Sequence, residues 1–279
     1  MPELPEVETI RRSLTPLITG KRIEDVSVYL PKAIRGRTPE ELRQELMGKI
    51  IAAVDRRGKY LLLCLKEGGT LVFHLRMTGR VIFRATAEEP LAKHTTLVLD
   101  FAGGAQLRFE DPRKFGTVDL LSDHAHHAMD LLGPEPLGGK WTLDDLIKAG
   151  KTRKTCIKAV LLDQAVVAGL GNIYTDESLF RAGIYPGRPA SSLSQEEWQR
   201  LYGIIQEVLA EGIEYRGTTH RDYVDGLGNA GGFQERLRVY GRSGLPCVNC
   251  GTPIRRKKLA GRGTHYCPKC QHAEREAEA

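Results

Sequence analysis

Four cysteines near the end of the 279-residue chain restrict its fold more than any other feature. Cys247, Cys250, Cys267 and Cys270 are spaced C-x2-C-x16-C-x2-C. Each C-x2-C turn brings two thiolates to one tetrahedral ion, and the intervening stretch returns as a hairpin to join the pairs. Four thiolates leave no open coordination position, so the expected ligand is one structural Zn2+ rather than a catalytic metal. The hairpin reads IRRKKLAGRGTHY, crowding Arg255, Arg256, Lys257, Lys258 and Arg262 around a turn. Phosphate binding explains that crowding, and a solvated charge run explains it too.

The remaining cysteines, Cys64 and Cys156, are isolated, so no disulfide framework is expected and a reducing, cytosolic setting follows. Lys and Arg outnumber Asp and Glu by 41 to 35, a net charge of +6 that favours polyanionic partners without proving one. The opening MPELPEVETI has early acids and no apolar run, and no segment is apolar enough to span a bilayer, so no membrane partner is expected.

Residues 6–19 place Val7, Ile10, Leu14 and Leu17 at helical spacing. Between 23 and 121 the chain turns to short strand-like runs (VSVYL, YLLLCL, TLVFHL, RVIF, TLVLDF, QLRF, TVDLL), with a helix near 39–47. This pattern predicts a largely antiparallel sandwich or barrel. After the Pro/Gly stretch 133–140, helical patterns occupy 142–149, 155–163, 173–182 and 194–215. The expected fold is α+β and multidomain. An N-terminal domain (1–133) precedes a helical domain (134–236) containing a Gly-rich loop (217–233), then a zinc-ribbon-like β-hairpin finger (237–271) and a mobile tail (272–279).

The first six residues can also be read as a reagent. A small second residue permits removal of Met1, which would leave Pro2 as a secondary amine. Free α-amino groups titrate near 8, so a useful fraction is neutral at physiological pH. Such an amine attacking a sugar C1′ gives an iminium ion, a sink for later eliminations, and Glu3 stands next to it as a proton source. Taken alone, the same residues read more simply as acids, Glu3 and Glu6, complementing a helix N-terminus.

With PELPEVET (2–9) go RRGKYLL (56–62), HLRMTG (74–79), EDPRKFG (110–116), GLGNIYTDESLF (169–180), VYGRSGLPC (239–247) and the cysteine pattern. Together these closely resemble formamidopyrimidine-DNA glycosylase, a bacterial base-excision-repair family related to endonuclease VIII. The resemblance runs through nearly the whole chain in family order. It implies an N-terminal β-sandwich, a helix–two-turn–helix domain and a zinc finger, acting as a monomer on double-stranded DNA that contains oxidised purines or abasic sites. It implies base removal followed by β,δ-elimination. Pro2 would be the Schiff-base nucleophile, Glu3 the general acid, and Lys59 and Arg262 the proton donors of the β and δ steps.

The resemblance also implies that Met77, Arg113 and Phe115 fill the space left by an everted base. On the residues alone, Met77 and Phe115 read as core, Lys59 as an exposed lysine and Arg262 as a phosphate contact. His74, His94, Arg153, Lys154, Lys158 and Asn172 are candidate DNA contacts, Asn172 because a helix starting there offers N–H groups to an anion. Loop 217–233 would cover the lesion, and Glu6 would contact it. The cluster His124, His126, His127 reads as solvated histidines rather than a metal tract. Two other readings stay open: an oxidised-pyrimidine glycosylase of the endonuclease VIII type, which typically carries Gly where this chain has Leu4, and a catalytically silent zinc-ribbon DNA-binding protein.

Overall fold

Helix α1 (Leu4–Ile18) begins where Pro5 occupies the first turn, a position that needs no amide hydrogen. Its Val7, Ile10, Leu14 and Ile18 recur every three or four residues and are fully buried. Each such side chain contributes about 1.5–3 kcal/mol on burial. The face packs on β3 (Ile51–Arg57) and β4 (Tyr60–Leu65).

The structure, a computed structural model, describes residues 1–122 and 127–272. His124 and His126, the side chain of His127 and tail residues 273–279 lie outside the described residues. The chain divides into two compact units, Met1–Asp130 with Gly212–Gln234, and Leu131–Glu211 with the residues from Glu235 onward.

The first unit is a β-sandwich. Its five-stranded sheet runs β2 (Ile34–Arg35), β9 (Thr117–Leu121), β5 (Thr70–His74), β4 and β3. The four-stranded sheet runs β1 (Ile23–Val28), β7 (Thr95–Phe101), β8 (Gln106–Glu110) and β6 (Arg80–Arg84). Pairing is antiparallel except between β2 and β9. The core between the sheets includes Leu61, Leu63, Phe73, Leu97, Leu99, Leu107 and Phe109. Helix α2 (Pro39–Leu46) is closed at its start by a reciprocal bond pair between Thr38 and Glu41. A short helix, α3 (His127–Asp130), follows β9. Segment 212–234 also belongs to this unit.

The second unit holds helices α4 (Leu143–Gly150), α5 (Ile157–Leu162), α6 (Asn172–Arg181) and most of α7 (Gln195–Glu214). It ends in the hairpin β10 (Arg255–Leu259) and β11 (Arg262–Tyr266). Val239, Ile254, Cys247 and Cys267 pack with Phe180 of α6 in a small separate core. Among the described residues no helix is long and apolar enough to cross a membrane.

Candidate functional site

Strand register brings most of the first unit's candidates to one end of its sandwich. Tyr60 faces His74, and His74 faces Thr117, so Lys59, His74 and the residues before Thr117 share one sheet end. Arg80 faces Glu110, and Thr95 also faces Glu110. The two loops that cross between sheets here, 75–79 and 111–116, therefore leave and arrive side by side. His94 joins them through its carbonyl, which accepts the Asp111 amide at 2.9 Å.

One carboxylate ties the crossing loops together. Asp111 is 1% exposed. Its Oδ1 accepts from Thr78 Oγ1 at 2.5 Å and from the Arg113 amide at 3.1 Å. Its Oδ2 accepts from the amides of Phe115 at 2.8 Å and Gly116 at 2.7 Å. Four donors on an acceptor-only group leave the flanking side chains little choice of direction. Met77 and Phe115 are consequently held outside, 40% and 59% exposed, instead of joining the core as apolar residues usually do. Arg113 is exposed beside them.

His74 is buried, its ring edge-on to Tyr60. Burial, then the charges of Arg76 and Lys59, lower its pKa to about 3, so the imidazole is neutral at physiological pH. Its Nδ1 accepts the Arg76 amide at 3.0 Å, which leaves the ring proton on Nε2 as a donor. Arg76 reaches back in this way because its backbone is left-handed, with φ 53°.

Pro2 and Glu3 are buried at the start of α1. Glu6 both closes the helix and holds the Gly-rich loop. Its Oε2 accepts the Glu3 amide at 2.8 Å and its Oε1 the Thr218 amide at 2.7 Å. Gly217 allows this approach, since its φ is +77° and a Cβ there would lie 2.9 Å from the Glu6 side chain. The loop is further built by Asp225, which accepts from the amides of Leu227 and Asn229 and from Arg216. Tyr223 donates to the carbonyls of Glu6 and Arg216. Gly217 thus serves packing against Glu6.

Lys59 is 7% exposed and follows Gly58 in the β3–β4 turn. Glu8 connects that turn to α1: Arg56 Nε lies 3.3 Å from Glu8 Oε2, and Arg56 Nη1 donates to the Gly58 carbonyl at 3.0 Å. Although burial pushes the Glu8 pKa up, bonds from Arg11 and Arg12 and the charge of Arg56 bring it down to about 2. The sequence offered no signal for this link, because Glu8 and Arg56 look like ordinary surface charges. Asp111, followed by Pro112, likewise reads only as a turn signal.

In the second unit the four cysteine Sγ atoms lie within 4.8 Å of one another. Cys247 and Cys270 Sγ are 3.8 Å apart, and Cys250 and Cys267 Sγ 3.5 Å. A tetrahedron with Zn–S bonds of 2.3 Å has edges of about 3.8 Å, so the donor set fits zinc and is far too open for disulfides. The amides of Asn249 and Cys270 point at Cys247 and Cys267 Sγ, each at 3.4 Å. Beyond the knuckle, Arg255, Arg256, Lys257 and Lys258 of β10 are exposed. Arg262 is exposed after the two-residue turn Ala260–Gly261, whose positive φ values of 48° and 70° suit a hairpin.

Arg153 and Lys154 are exposed, Arg153 with an ion pair to Asp163 at 2.9 Å. Lys158 differs: it is 0% exposed, and its ammonium lies 2.5 Å from the equally buried Asp176. Asn172 opens α6 and donates through Nδ2 to the Gly263 carbonyl at 2.9 Å. Two adjacent acids of α6 also grip later backbone. Asp176 accepts the His265 amide at 2.8 Å, and Glu177 accepts those of Arg238, Val239 and Tyr240.

Residues 1–118 match the family model "Formamidopyrimidine-DNA glycosylase N-terminal domain", 132–229 the "Formamidopyrimidine-DNA glycosylase H2TH domain", and 244–273 the "Zinc finger found in FPG and IleRS". The formamidopyrimidine-DNA glycosylase of Geobacillus kaustophilus is 50% identical over 275 residues, covering 97% of this chain and 100% of that one. That of Heliobacterium modesticaldum is 51% identical over 276 residues, covering 97% and 100%. Among solved structures, a mutant Lactococcus lactis FPG bound to Fapy-dG containing DNA superposes with a TM-score of 0.92 at 39% identity, covering 97% of this chain and 100% of that one. The Lactococcus lactis Fpg with abasic-site DNA gives 0.91 at 39%, covering 97% and 99%. The wild-type protein from that organism with an oxidized pyrimidine containing DNA gives 0.90 at 39%, covering 97% and 100%.

Proposed function

Because the chain belongs to the formamidopyrimidine-DNA glycosylase family, we propose that it excises oxidised purines from duplex DNA and then cleaves the strand at the resulting abasic site. The observation that carries this reading is the exposure of Met77 and Phe115, with Arg113, on two loops held by one buried carboxylate. Exposed apolar side chains on a rigid mount suit insertion into a base stack, and Arg113 suits the acceptors of an orphaned cytosine. His74, as a fixed neutral donor, and the half-buried His94, with Arg153, Lys154, Asn172 and the β10 cations, serve as phosphate contacts. A zinc ion would be held by Cys247, Cys250, Cys267 and Cys270, where it would keep the hairpin in shape and take no part in bond making.

Removal of Met1 frees the Pro2 amine. Its lone pair forms the N–C1′ bond while the bond from C1′ to the base breaks, and the electron pair leaves with the base, which gains a proton as the attached nitrogen gives up its own. Glu3 protonates O4′ as the sugar ring opens to the iminium ion. Loss of the C2′ proton then expels the 3′-phosphate, with Lys59 assisting. Loss of the C4′ proton expels the 5′-phosphate, with Arg262 assisting. Hydrolysis of the iminium restores Pro2 and leaves a one-nucleotide gap. Glu6 and loop 217–233 contact the everted base.

Borohydride reduction during turnover tests the chemistry. Protein lacking Met1 is expected to crosslink to 8-oxoguanine and abasic DNA, and Pro2→Gly to lose most of that product. Absence of any crosslink in correctly processed protein would mean a silent DNA-binding protein instead. Because a Lactococcus lactis relative was crystallised with an oxidized pyrimidine, excision of 8-oxoguanine opposite cytosine is to be compared with thymine glycol. Faster removal of thymine glycol would favour the endonuclease VIII type.

A further inference from the structure

Lys158 is the one cation of the second unit's candidates that is withdrawn from solvent, and its partners point to a different task from binding phosphate. Its Nζ lies 2.5 Å from Asp176 Oδ1 and 3.5 Å from the Gly263 carbonyl. The other carboxylate oxygen, Oδ2, accepts the His265 amide at 2.8 Å. Asn172 Nδ2 donates to the same Gly263 carbonyl at 2.9 Å. Strand β11 is therefore held at two successive inward points, Gly263 and His265, by side chains of α5 and α6. Gly263 directly follows Arg262, so an anchor on the Gly263 carbonyl acts one residue from the Arg262 side chain.

We infer that Lys158 and Asp176 form a buried pair that fixes strand β11 and so aims Arg262, and that Lys158 is a positioning residue that does not touch DNA. The physical reason lies in the pair itself. A buried ammonium needs a counter-charge, and a buried carboxylate needs its remaining lone pairs satisfied by donors. Asp176 meets both needs by spending one oxygen on Lys158 and the other on the strand. Removing either charge leaves the other unpaired in the interior, and the strand relaxes to hydrate it. The inference rests on the reading that Arg262 serves the second elimination.

Two variants, Lys158→Met and Asp176→Asn, separate this role from a phosphate contact. In each, the ratio of δ- to β-elimination product on abasic duplex is measured, alongside the salt dependence of binding to uncleavable abasic DNA. The ratio is internally normalised, so a variant with less folded protein still reports it. The expected result is a ratio lowered tenfold or more in both variants, approaching that of Arg262→Ala, with the salt slope unchanged. A phosphate contact predicts the opposite pattern: Lys158→Met lowers the slope by about one unit, and Asp176→Asn, by releasing the ammonium, tightens binding. Either of those outcomes overturns the inference, as does an unchanged product ratio when Arg262→Ala depresses it. If Arg262→Ala itself leaves δ-elimination intact, the reading of Arg262 fails instead. Amide exchange at His265 then decides the positioning role: protection in Asp176→Asn is expected to fall at least tenfold, and wild-type protection refutes it.

Discussion

Replacing Asp111 with Asn changes one atom and asks whether the proposed DNA-inserting loops work because they are prebuilt. The carboxylate takes four donors, from Thr78, Arg113, Phe115 and Gly116. An amide offers a single acceptor oxygen. Its best compromise keeps that oxygen on the Phe115 and Gly116 amides, turns the Thr78 hydroxyl to accept from the new NH2, and abandons the Arg113 amide. Three charge-assisted bonds then become neutral ones, at about 0.5–1 kcal/mol each, and one bond is lost, at about 1 kcal/mol because Arg113 can recruit water. The sum is about 2–4 kcal/mol. If the loops must be re-formed to bind, a 2 kcal/mol share of that cost weakens binding about 30-fold. The assays are urea unfolding and fluorescence anisotropy with a duplex carrying an abasic analogue opposite cytosine. A stability loss of 2–4 kcal/mol with affinity within twofold of wild type would refute the reasoning, showing that Asp111 supports the fold without preparing the loops.

Stability is expected to fall as pH drops from 7 to 5, and His74 supplies the larger resolved reason. The unfolded imidazole takes a proton near 6.5, whereas the folded one resists to about 3, so the native state loses ground on acidification through that window. That amounts to about 2 kcal/mol between pH 7 and 5, and His74→Gln should flatten the slope in denaturant melts. Glu8 adds the same sign lower down, since its stabilisation is complete above 4.5 and is lost as pH falls toward 2. Gly217→Ala places a Cβ against Glu6 at positive φ and should break the bond between Glu6 and Thr218. Excision of the damaged base is expected to drop at least tenfold, with incision of abasic DNA little changed; equal losses on both substrates would contradict a loop that handles the base. Cys250→Ser should lower bound zinc from one equivalent and weaken DNA binding more than tenfold, measured by metal analysis and anisotropy, and full affinity without zinc would count against a DNA-gripping hairpin.

Where chemistry and local geometry coincide in neighbouring residues, the chain could be read directly. The two C-x2-C turns needed only their spacing, and their Sγ atoms meet at zinc distances. Helix α1 is visible in the three-and-four recurrence of Val7, Ile10 and Leu14, and β4, β5 and β7 in their apolar runs. Strand β3, IAAVDRR, carries no strand signal in the sequence because only Ile51 and Val54 are buried and an irregularity between Ile51 and Ala53 disrupts its alternation. Read in isolation, Met77 and Phe115 look like core, for nothing nearby says that Asp111 will face them outward. Lys158 looks like any other basic residue in TRKTCIK. Its burial depends on Asp176, 18 positions later, and on a hairpin 105 positions away. Local pattern determined which elements form, because hydrogen bonding and periodic burial act over a few residues. Only the tertiary fold decided which charges are solvated and which are paired in the interior, because that depends on groups brought together from distant parts of the chain.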